Sequence, residues 1–373
     1  MVDTMAEDPP EKNMVMIILI GMITMTMFWF GWFEKSNDKN EKKNKKKDDN
    51  TSHDNDNDND SGMLRVTDLK IYPIKSCGAL TLKKAVTTEN GFENDRMAQI
   101  SDADGKYCTP RNKKYAPLFH IEPKLLSLLS SPTEMVLCSA NVSQEITIDL
   151  QNDDVTKTTD AIPMIGPKVK LQEYGDAVTE WIQEATGGLE GLRLTRIGSQ
   201  YKRLVEVNPD QNEQLPNIVD NDKYAPTVSL ADEAPYLLTS TSSLLDLNKR
   251  LQARDKKPVD MRRFRPNIVI SGLQPWEEDS LKRIRIGDTA EFIVWQRCGR
   301  CTMTTIDRDT LQRGPEPLAT LSTFRERTGG QRNFGMHMIP VPSTMGTTVQ
   351  LGDKIHILEY DEERKAEWKR LFG

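Results

Sequence analysis

Phe264-Arg265-Pro266-Asn267-Ile268-Val269-Ile270-Ser271-Gly272, followed downstream by Arg297-Cys298-Gly299-Arg300-Cys301-Thr302-Met303-Thr304-Thr305-Ile306-Asp307, is the sequence on which the fold and the chemistry both turn. The first stretch ends in a β-branched apolar run, a strand signal. The second follows Phe292 to Trp295, which reads as the end of another strand. It sets a thiol among arginines. Nearby cations lower a cysteine pKa, and a thiolate is a soft ligand suited to a soft or redox-active metal. Arg265, Arg297 and Arg300 also suit an anionic cofactor.

The Cys298-x-x-Cys301 spacing admits three readings. A zinc half-site needs two further ligands, yet no second Cys-x-x-Cys exists and the next histidine downstream is His337. A thioredoxin-like dithiol expects a βαβ setting with the motif at a helix start, whereas threonines follow here. The third reading is one thiolate on a cofactor metal, with the other cysteine packed nearby.

Working outward, the chain from Leu64 is mostly β. Leu64 and Val66 alternate with polar residues, and Leu69 and Ile71 continue after a shift, as half-buried strands do. One helix stands out, with Asp176 as its cap, Val178, Trp181, Ile182 and Ala185 on one face, and Gly187-Gly188 at its end. Pro235 to Leu238 reads as a short strand. It runs through Thr239-Ser240-Thr241-Ser242-Ser243 into a helix using Leu244, Leu245, Leu247 and Leu251. Hydroxyls at such a junction suit an anion cradle or plain N-capping. Ile284 to Phe292 echoes Val349 to Ile357, each a strand, a Gly-Asp turn and a strand. Repeated hairpins of this kind suit a small β-barrel.

A length of 373 residues holds two ordinary domains. A net charge of −6 and 6% aromatics argue against nucleic-acid binding. Five cysteines at irregular spacing do not resemble a disulfide framework, which points to a reducing compartment.

Met14 to Phe33 is an uncharged apolar run of twenty residues. At ~1.5 Å per residue it reaches roughly 30 Å, a bilayer's hydrocarbon thickness. Trp29, Trp32 and Phe33 form an interfacial belt at one end. A cleaved signal fits less well, because the leading segment is acidic and no small-x-small site follows. Seven lysines lie between Glu34 and Lys47 against one, Lys12, before the span. That asymmetry orients the bulk of the chain to the cytosol. The lysine-rich and Asp-Asn sequence up to Ser61 reads as a solvated, disordered tether. Glu206 to Pro226 reads as an interdomain connection or a long loop.

Taken together and in order, Ile71-Tyr72-Pro73-Ile74-Lys75-Ser76-Cys77, Asn94-Asp95-Arg96, Phe264-Arg265-Pro266-Asn267, Arg300-Cys301-Thr302-Met303-Thr304-Thr305, Asp307, Asp309 and Glu316-Pro317-Leu318 resemble the MOSC proteins, and more narrowly the mitochondrial amidoxime-reducing component family. The resemblance runs from about Leu64 to Leu358. It implies a mixed α/β, mainly β chain: a MOSC-type N-terminal β-barrel domain (64–200) and a MOSC β-barrel domain (215–360). These would follow a short tail (1–13), a single transmembrane helix (14–33) and a charged linker (34–61). It implies a molybdenum–molybdopterin cofactor with Cys301 as catalytic residue and metal ligand. Lys75, Ser76, Arg96, Asp232, Ser240, Arg265, Asn267, Arg300 and Cys301 would bind the cofactor. Cys298 would be a packed neighbour, Arg111 a rim residue, and Asp307 and Asp309 either proton-handling groups or turn caps.

The activity implied is reduction of N-hydroxylated compounds: amidoximes, hydroxylamines and N-oxides. No cysteine follows Cys301 to ligate an iron–sulfur cluster, and no Gly-x-Gly-x-x-Gly marks a nicotinamide or flavin site. The resemblance supplies cytochrome b5 and NADH-cytochrome b5 reductase as electron donors. It places the enzyme on the mitochondrial outer membrane facing the cytosol, with the endoplasmic reticulum as the other membrane compatible with the sequence. The alternative is a non-catalytic cofactor carrier or a sulfur-carrying MOSC protein.

Overall fold

The alternation around Leu64 becomes β1 (Arg65–Ile71), with Val66, Leu69 and Ile71 buried. The shift within it is a bulge, since its register against the partner strand steps between Val66 and Asp68. The structure is a computed structural model that describes residues 63–125, 134–150, 157–164, 166–205, 225–325 and 332–373. The tail, membrane anchor and linker assigned to 1–61, and most of the connection at 206–226, lie outside the described residues. Among the described residues no helix is long and apolar enough to cross a membrane.

After β1 come β2 (Leu80–Thr81), β3 (Lys84–Thr88), β4 (Gly91–Phe92) and β5 (Ala98–Ser101), then a 3-10 helix over Lys113–His120. β6 (Glu122–Leu125), β7 (Glu134–Ser139), β8 (Val142–Asp149), β9 (Thr158–Ala161) and β10 (Val169–Glu173) lead to the helix Asp176–Ala185, and β11 (Arg193–Arg196) follows it. This helix buries Val178, Trp181, Ile182 and Ala185, the face read from the sequence. Its N-cap is Gly175 rather than Asp176. Asp176 sits inside the first turn, where its carboxylate faces the positive end of the helix dipole.

The later part opens with β12 (Tyr236–Ser240) and the helix Thr241–Gln252. Leu247 and Leu251 are buried, but Leu245 points outward and is 62% exposed. β13 (Ile268–Ser271), β14 (Leu281–Ile286) and β15 (Ala290–Gly299) follow, then the helix Leu318–Arg325 and β16 (Asn333–Pro340). β17 (Thr348–Gln350), β18 (Ile355–Tyr360) and the helix Glu362–Phe372 end the chain.

The largest sheet has eight strands in the order β18-β14-β15-β16-β12-β13-β1-β2. Among the described residues only β12 and β13 of it pair in parallel, and the helix Thr241–Gln252 supplies the crossover that a parallel pair requires. Its core gathers Leu69, Tyr236, Ile268, Phe292, Met336 and Met338. A second core, under β5, β11 and the helix Asp176–Ala185, gathers Ile100, Leu118, Trp181, Ile182 and Leu194. Pairing crosses between the two segments assigned from sequence: β1 pairs with β13, and β3 with β17.

The β-barrel expectation is met only in part. No ladder closes the large sheet among the described residues. A single bridge, Arg65 to Lys354, brings β1 to the start of β18. The two Gly-Asp turns also differ. β14 and β15 form the expected hairpin, with Ile286 opposite Ala290. β17 and β18 do not pair with each other, because β17 joins β3 while β18 joins β14. The turns meet instead: Gly287 N–H donates to the Lys354 carbonyl at 2.8 Å.

Candidate functional site

One cavity is lined by Lys75, Ser76, Arg96, Asp232, Arg265, Asn267, Arg300 and Cys301, eight of the nine residues assigned to the cofactor from sequence. They come from five separate places: the exit of β1, the turn before β5, the approach to β12, the segment before β13, and the segment after β15. Three of them hold left-handed backbone, with φ of 73° at Ser76, 49° at Arg96 and 55° at Arg265. Non-glycine residues adopt this region at a cost, and such positions gather at functional sites.

Arg96 and Arg265 both lie over the Tyr72 ring, 4.5 and 4.0 Å from its centroid. Arg96 is fixed by Asp95 at 2.5 Å and by Asn267 Oδ1 at 3.0 Å. Arg265 donates to the Cys77 carbonyl at 2.7 Å. Burial and then the neighbouring Arg96 charge lower its pKa. Lys75 Nζ lies 2.6 Å from Asp232 Oδ1 and over the Tyr107 ring. Burial lowers the Lys75 ammonium, and Asp232 works against that. Burial would raise the Asp232 carboxyl, but Lys75, Arg111 and Arg203 hold it below the usual range. Ser76 and Tyr107 share a hydroxyl contact. Arg111 stands at the rim, 3.9 Å from Asp232.

Two assignments fall elsewhere. Ser240 is fully buried at the start of the helix Thr241–Gln252, with Oγ 2.6 Å from Ser242 Oγ. It makes no side-chain cap and does not line the cavity. Arg297 pairs with Asp279 at 3.3 Å and Glu367 at 2.5 Å. It points away because neighbours on a strand face opposite sides. β15 runs on to Gly299 rather than stopping at Trp295, so Cys298 belongs to the strand and Cys301 lies just beyond it.

Arg300 lines the cavity but spends its donors on backbone: Nε and Nη2 on the Phe334 carbonyl, Nη1 on that of Phe264. It is a clamp on the walls. Cys301 caps a 3-10 turn over Thr302–Thr305, and its carbonyl accepts the N–H and hydroxyl of Thr304. Asp307 is a turn cap, its Oδ1 accepting from Asp309 N–H and from the N–H and hydroxyl of Thr310. Those bonds and Arg263 hold its pKa down. Asp309 is exposed and paired with Arg262. Neither aspartate reaches the cavity.

The sequence reading missed Tyr107, Glu233 and His337, which also line it. His337 Nε2 lies 3.0 Å from Glu233 Oε2. Burial would depress the imidazole, but Cys298 and Glu233 outweigh it and raise its pKa to about 10. Burial would raise the Cys298 thiol; Arg300 and His337 bring it below the ordinary value instead. The lowered thiol pKa foreseen for this motif falls on Cys298, which is buried as expected and also lines the cavity. Lys75 Nζ, Asp232 Oδ1, Glu233 Oε2 and both His337 nitrogens are buried without an aligned hydrogen bond. They face each other as charges and keep bonding capacity for a ligand.

A MOSC domain matches residues 225–356 and a MOSC N-terminal beta barrel domain matches 63–187. Mitochondrial amidoxime-reducing component 1 of Homo sapiens is 30% identical over 310 residues, covering 79% of this chain and 82% of that protein. Mitochondrial amidoxime reducing component 2 of Rattus norvegicus is 30% identical over 269 residues, 70% of this chain and 72% of that one. Molybdenum cofactor sulfurase of Oryza sativa subsp. japonica is 29% identical over 277 residues, 71% of this chain but 31% of its own length. The chain thus spans about a third of that sulfurase. On these matches, it belongs to the MOSC-domain proteins of the mitochondrial amidoxime-reducing component family.

Proposed function

We propose that the chain reduces N-hydroxylated compounds (amidoximes, hydroxylamines, N-oxides) with electrons from cytochrome b5 and its NADH-dependent reductase. Its cofactor is the molybdenum cofactor. The cavity fits that group. It holds two half-buried guanidiniums and a buried ammonium for a phosphate, polar atoms with unspent bonding capacity for a ring edge, and a thiol at its wall. When bound, the cofactor supplies two-electron redox chemistry at the metal.

The chain's own residues do the rest. Cys301 would be the protein's ligand to the metal. Lys75, Arg96 and Arg265 carry the positive charge that an anionic cofactor needs. Asn267 and Asp95 fix Arg96, and Arg300 ties the wall strands together. His337, charged at neutral pH, holds a proton at the cavity.

The observation that carries this reading is the convergence of residues from Lys75 to Cys301 on one cavity. The amidoxime-reducing relatives, matched over most of their own length, support this reading. The apolar run Met14–Phe33 is proposed as an anchor in the mitochondrial outer membrane, with the folded part facing the cytosol. Protease protection of the full chain in isolated organelles tests that topology. The activity is tested with the native chain and Cys301→Ala, measuring molybdenum, pterin and benzamidoxime reduction with cytochrome b5 and its reductase. Native activity that vanishes in the variant, with one fewer sulfur neighbour by X-ray absorption, is expected. Full activity in the variant would overturn the ligand assignment.

A further inference from the structure

Beyond the turn that Cys301 caps, the chain carries Arg308 into a second cavity. Its Nε, Nη1 and Nη2 are all buried and none has a hydrogen-bond partner. The guanidinium carbon sits 3.6 Å from the Phe119 ring centroid. His120 Nε2 lies 3.0 Å from the Arg308 carbonyl, so the residue is held at both ends.

The other cations of this cavity are Lys70, Lys124, Arg262 and Arg265. Lys124 is paired with Glu145, Arg262 with Asp260 and Asp309, and Lys70 with Asp68. The remaining acid on the wall, Glu122, makes no ion pair with Arg308. Among the described residues no carboxylate pairs with either Arg308 or Arg265. A buried charge without a counter-charge is strongly unfavourable, and arginine cannot escape by giving up its proton at neutral pH. Burial, with Arg265 alongside, lowers the Arg308 pKa to about 9, which still leaves it cationic at neutral pH. Stacked on Phe119 and reached by the Asp260 charge only at a distance, this buried fork has no hydrogen-bonded anion.

We propose that this cavity is a second anion-binding site, anchored by Arg308 with Arg265 at its edge, for a phosphate-class dianion. Two guanidinium charges match two negative charges, and the planar fork matches phosphate oxygens. Arg265 lines both cavities, so occupancy here is felt in the site beside Cys301. The dianion comes either from the terminal phosphate of a group seated in the first cavity or from a separate phosphate-bearing small molecule. The site stands whether or not the chain is a reductase.

The test is calorimetric titration of the full chain with inorganic phosphate at constant ionic strength, in cofactor-loaded and cofactor-free preparations. Arg308→Gln and Arg308→Lys are compared with Lys282→Gln, an exposed control. Saturable one-site binding is expected, weakened at least tenfold in Arg308→Gln, several-fold in Arg308→Lys, and unchanged in the control. The phosphate-induced rise in melting temperature should disappear in Arg308→Gln. Should that variant fail to fold, Arg308→Lys decides, and native-like affinity there overturns the site. Absence of saturable binding in both native preparations also overturns it, as does undiminished binding by Arg308→Gln. Binding only without cofactor, with cofactor loss in Arg308→Gln, supports the site and identifies the anion as the cofactor's phosphate. Binding in both preparations supports it and identifies a separate ligand.

Discussion

Arg96 Nη1 donates to Asn267 Oδ1 across 3.0 Å, though 171 positions separate the two in sequence. The same oxygen accepts Leu237 N–H at 3.2 Å, and Asn267 Nδ2 donates to the Lys70 carbonyl at 3.2 Å. One buried amide therefore ties β1, β12 and the turn before β5 together. Arg96 Nη2 meanwhile reaches the Arg265 carbonyl at 3.2 Å. The fold and the charge of the cavity share these bonds.

Asn267→Ala should therefore weaken both. It leaves a buried N–H, a buried carbonyl and one guanidinium contact unmade, a loss of about 2–4 kcal/mol in urea unfolding. Asn267→Asp keeps the acceptor for Arg96 and loses only the donor to Lys70, so its loss should be smaller. Cofactor retention should fall further in Asn267→Ala than in Asn267→Asp. A stability change under about 0.5 kcal/mol for the alanine variant would contradict the role given to this amide.

Arg265, Asn267, Lys75 and Arg96 were legible because each sits in a short motif that the MOSC resemblance covers, although their contacts are long-range. His337 was not. The four histidines are far apart in sequence, and the place of His337 depends on β16 pairing with two other strands, opposite Leu237 in β12 and Gln296 in β15. A histidine inside the apolar run Phe334 to Ile339 was the available signal. Ser240 misled because a hydroxyl at a strand–helix junction does not reveal which way it points. Arg297 misled because strand alternation was not applied beyond Trp295. The membrane segment was legible as a hydropathy pattern, but it lies outside the described residues.

The Glu233–His337–Cys298 cluster has a pH signature. The raised His337 pKa of about 10, against an ordinary 6.5, means that the imidazolium stabilises the fold fully below about pH 6.5. That contribution disappears as pH rises through about 10. The lowered Cys298 pKa acts in the opposite sense, stabilising above the ordinary value and fading as pH falls through the lowered one. In cofactor-free protein labelled at histidine, the His337 ring should titrate near 10 by NMR. Glu233→Gln and Cys298→Ala should each lower that midpoint. A native midpoint between 6 and 7, in the ordinary histidine range, would show that the pair is not charged as described.

Gly335 occupies a point where no side chain fits. Its φ is +81°, and an added Cβ would lie 2.5 Å from the Leu238 carbonyl oxygen and 2.8 Å from the Thr239 side chain. The close neighbour is backbone of the paired strand β12, so it cannot swing aside. Gly335→Ala should cost about 3 kcal/mol or more from strain and overpacking together. Arg300 Nη2 is 3.5 Å from the same point and grips the adjacent Phe334 carbonyl. Cofactor affinity should therefore drop with stability, read as metal lost on dialysis. An alanine variant with native melting temperature and native metal content would mean that the β12–β16 contact is looser than the geometry states.

Arg325 supports the same strand from behind. It is fully buried, donates from Nε to the Asn333 carbonyl at 2.9 Å, and meets Asp279 Oδ2 at 2.6 Å while its guanidinium lies 4.7 Å from the Trp276 ring centroid. Asn333 begins β16, the strand that delivers His337 to the cavity. Removing one member of a buried ion pair leaves the other uncompensated, so Arg325→Met should cost about 3–5 kcal/mol. Asp279 keeps Arg297 at 3.3 Å, which places the expected loss toward the lower end. Replacing both partners with apolar residues removes the stranded Asp279 charge but also takes one of the two carboxylates of Arg297, leaving Glu367, so Arg325→Met with Asp279→Leu should recover part of the loss. A double-mutant cycle in urea measures this directly. Additive losses in the pair would mean that each residue acts through packing alone, and that the ion pair plays no part in holding β16 against the cavity.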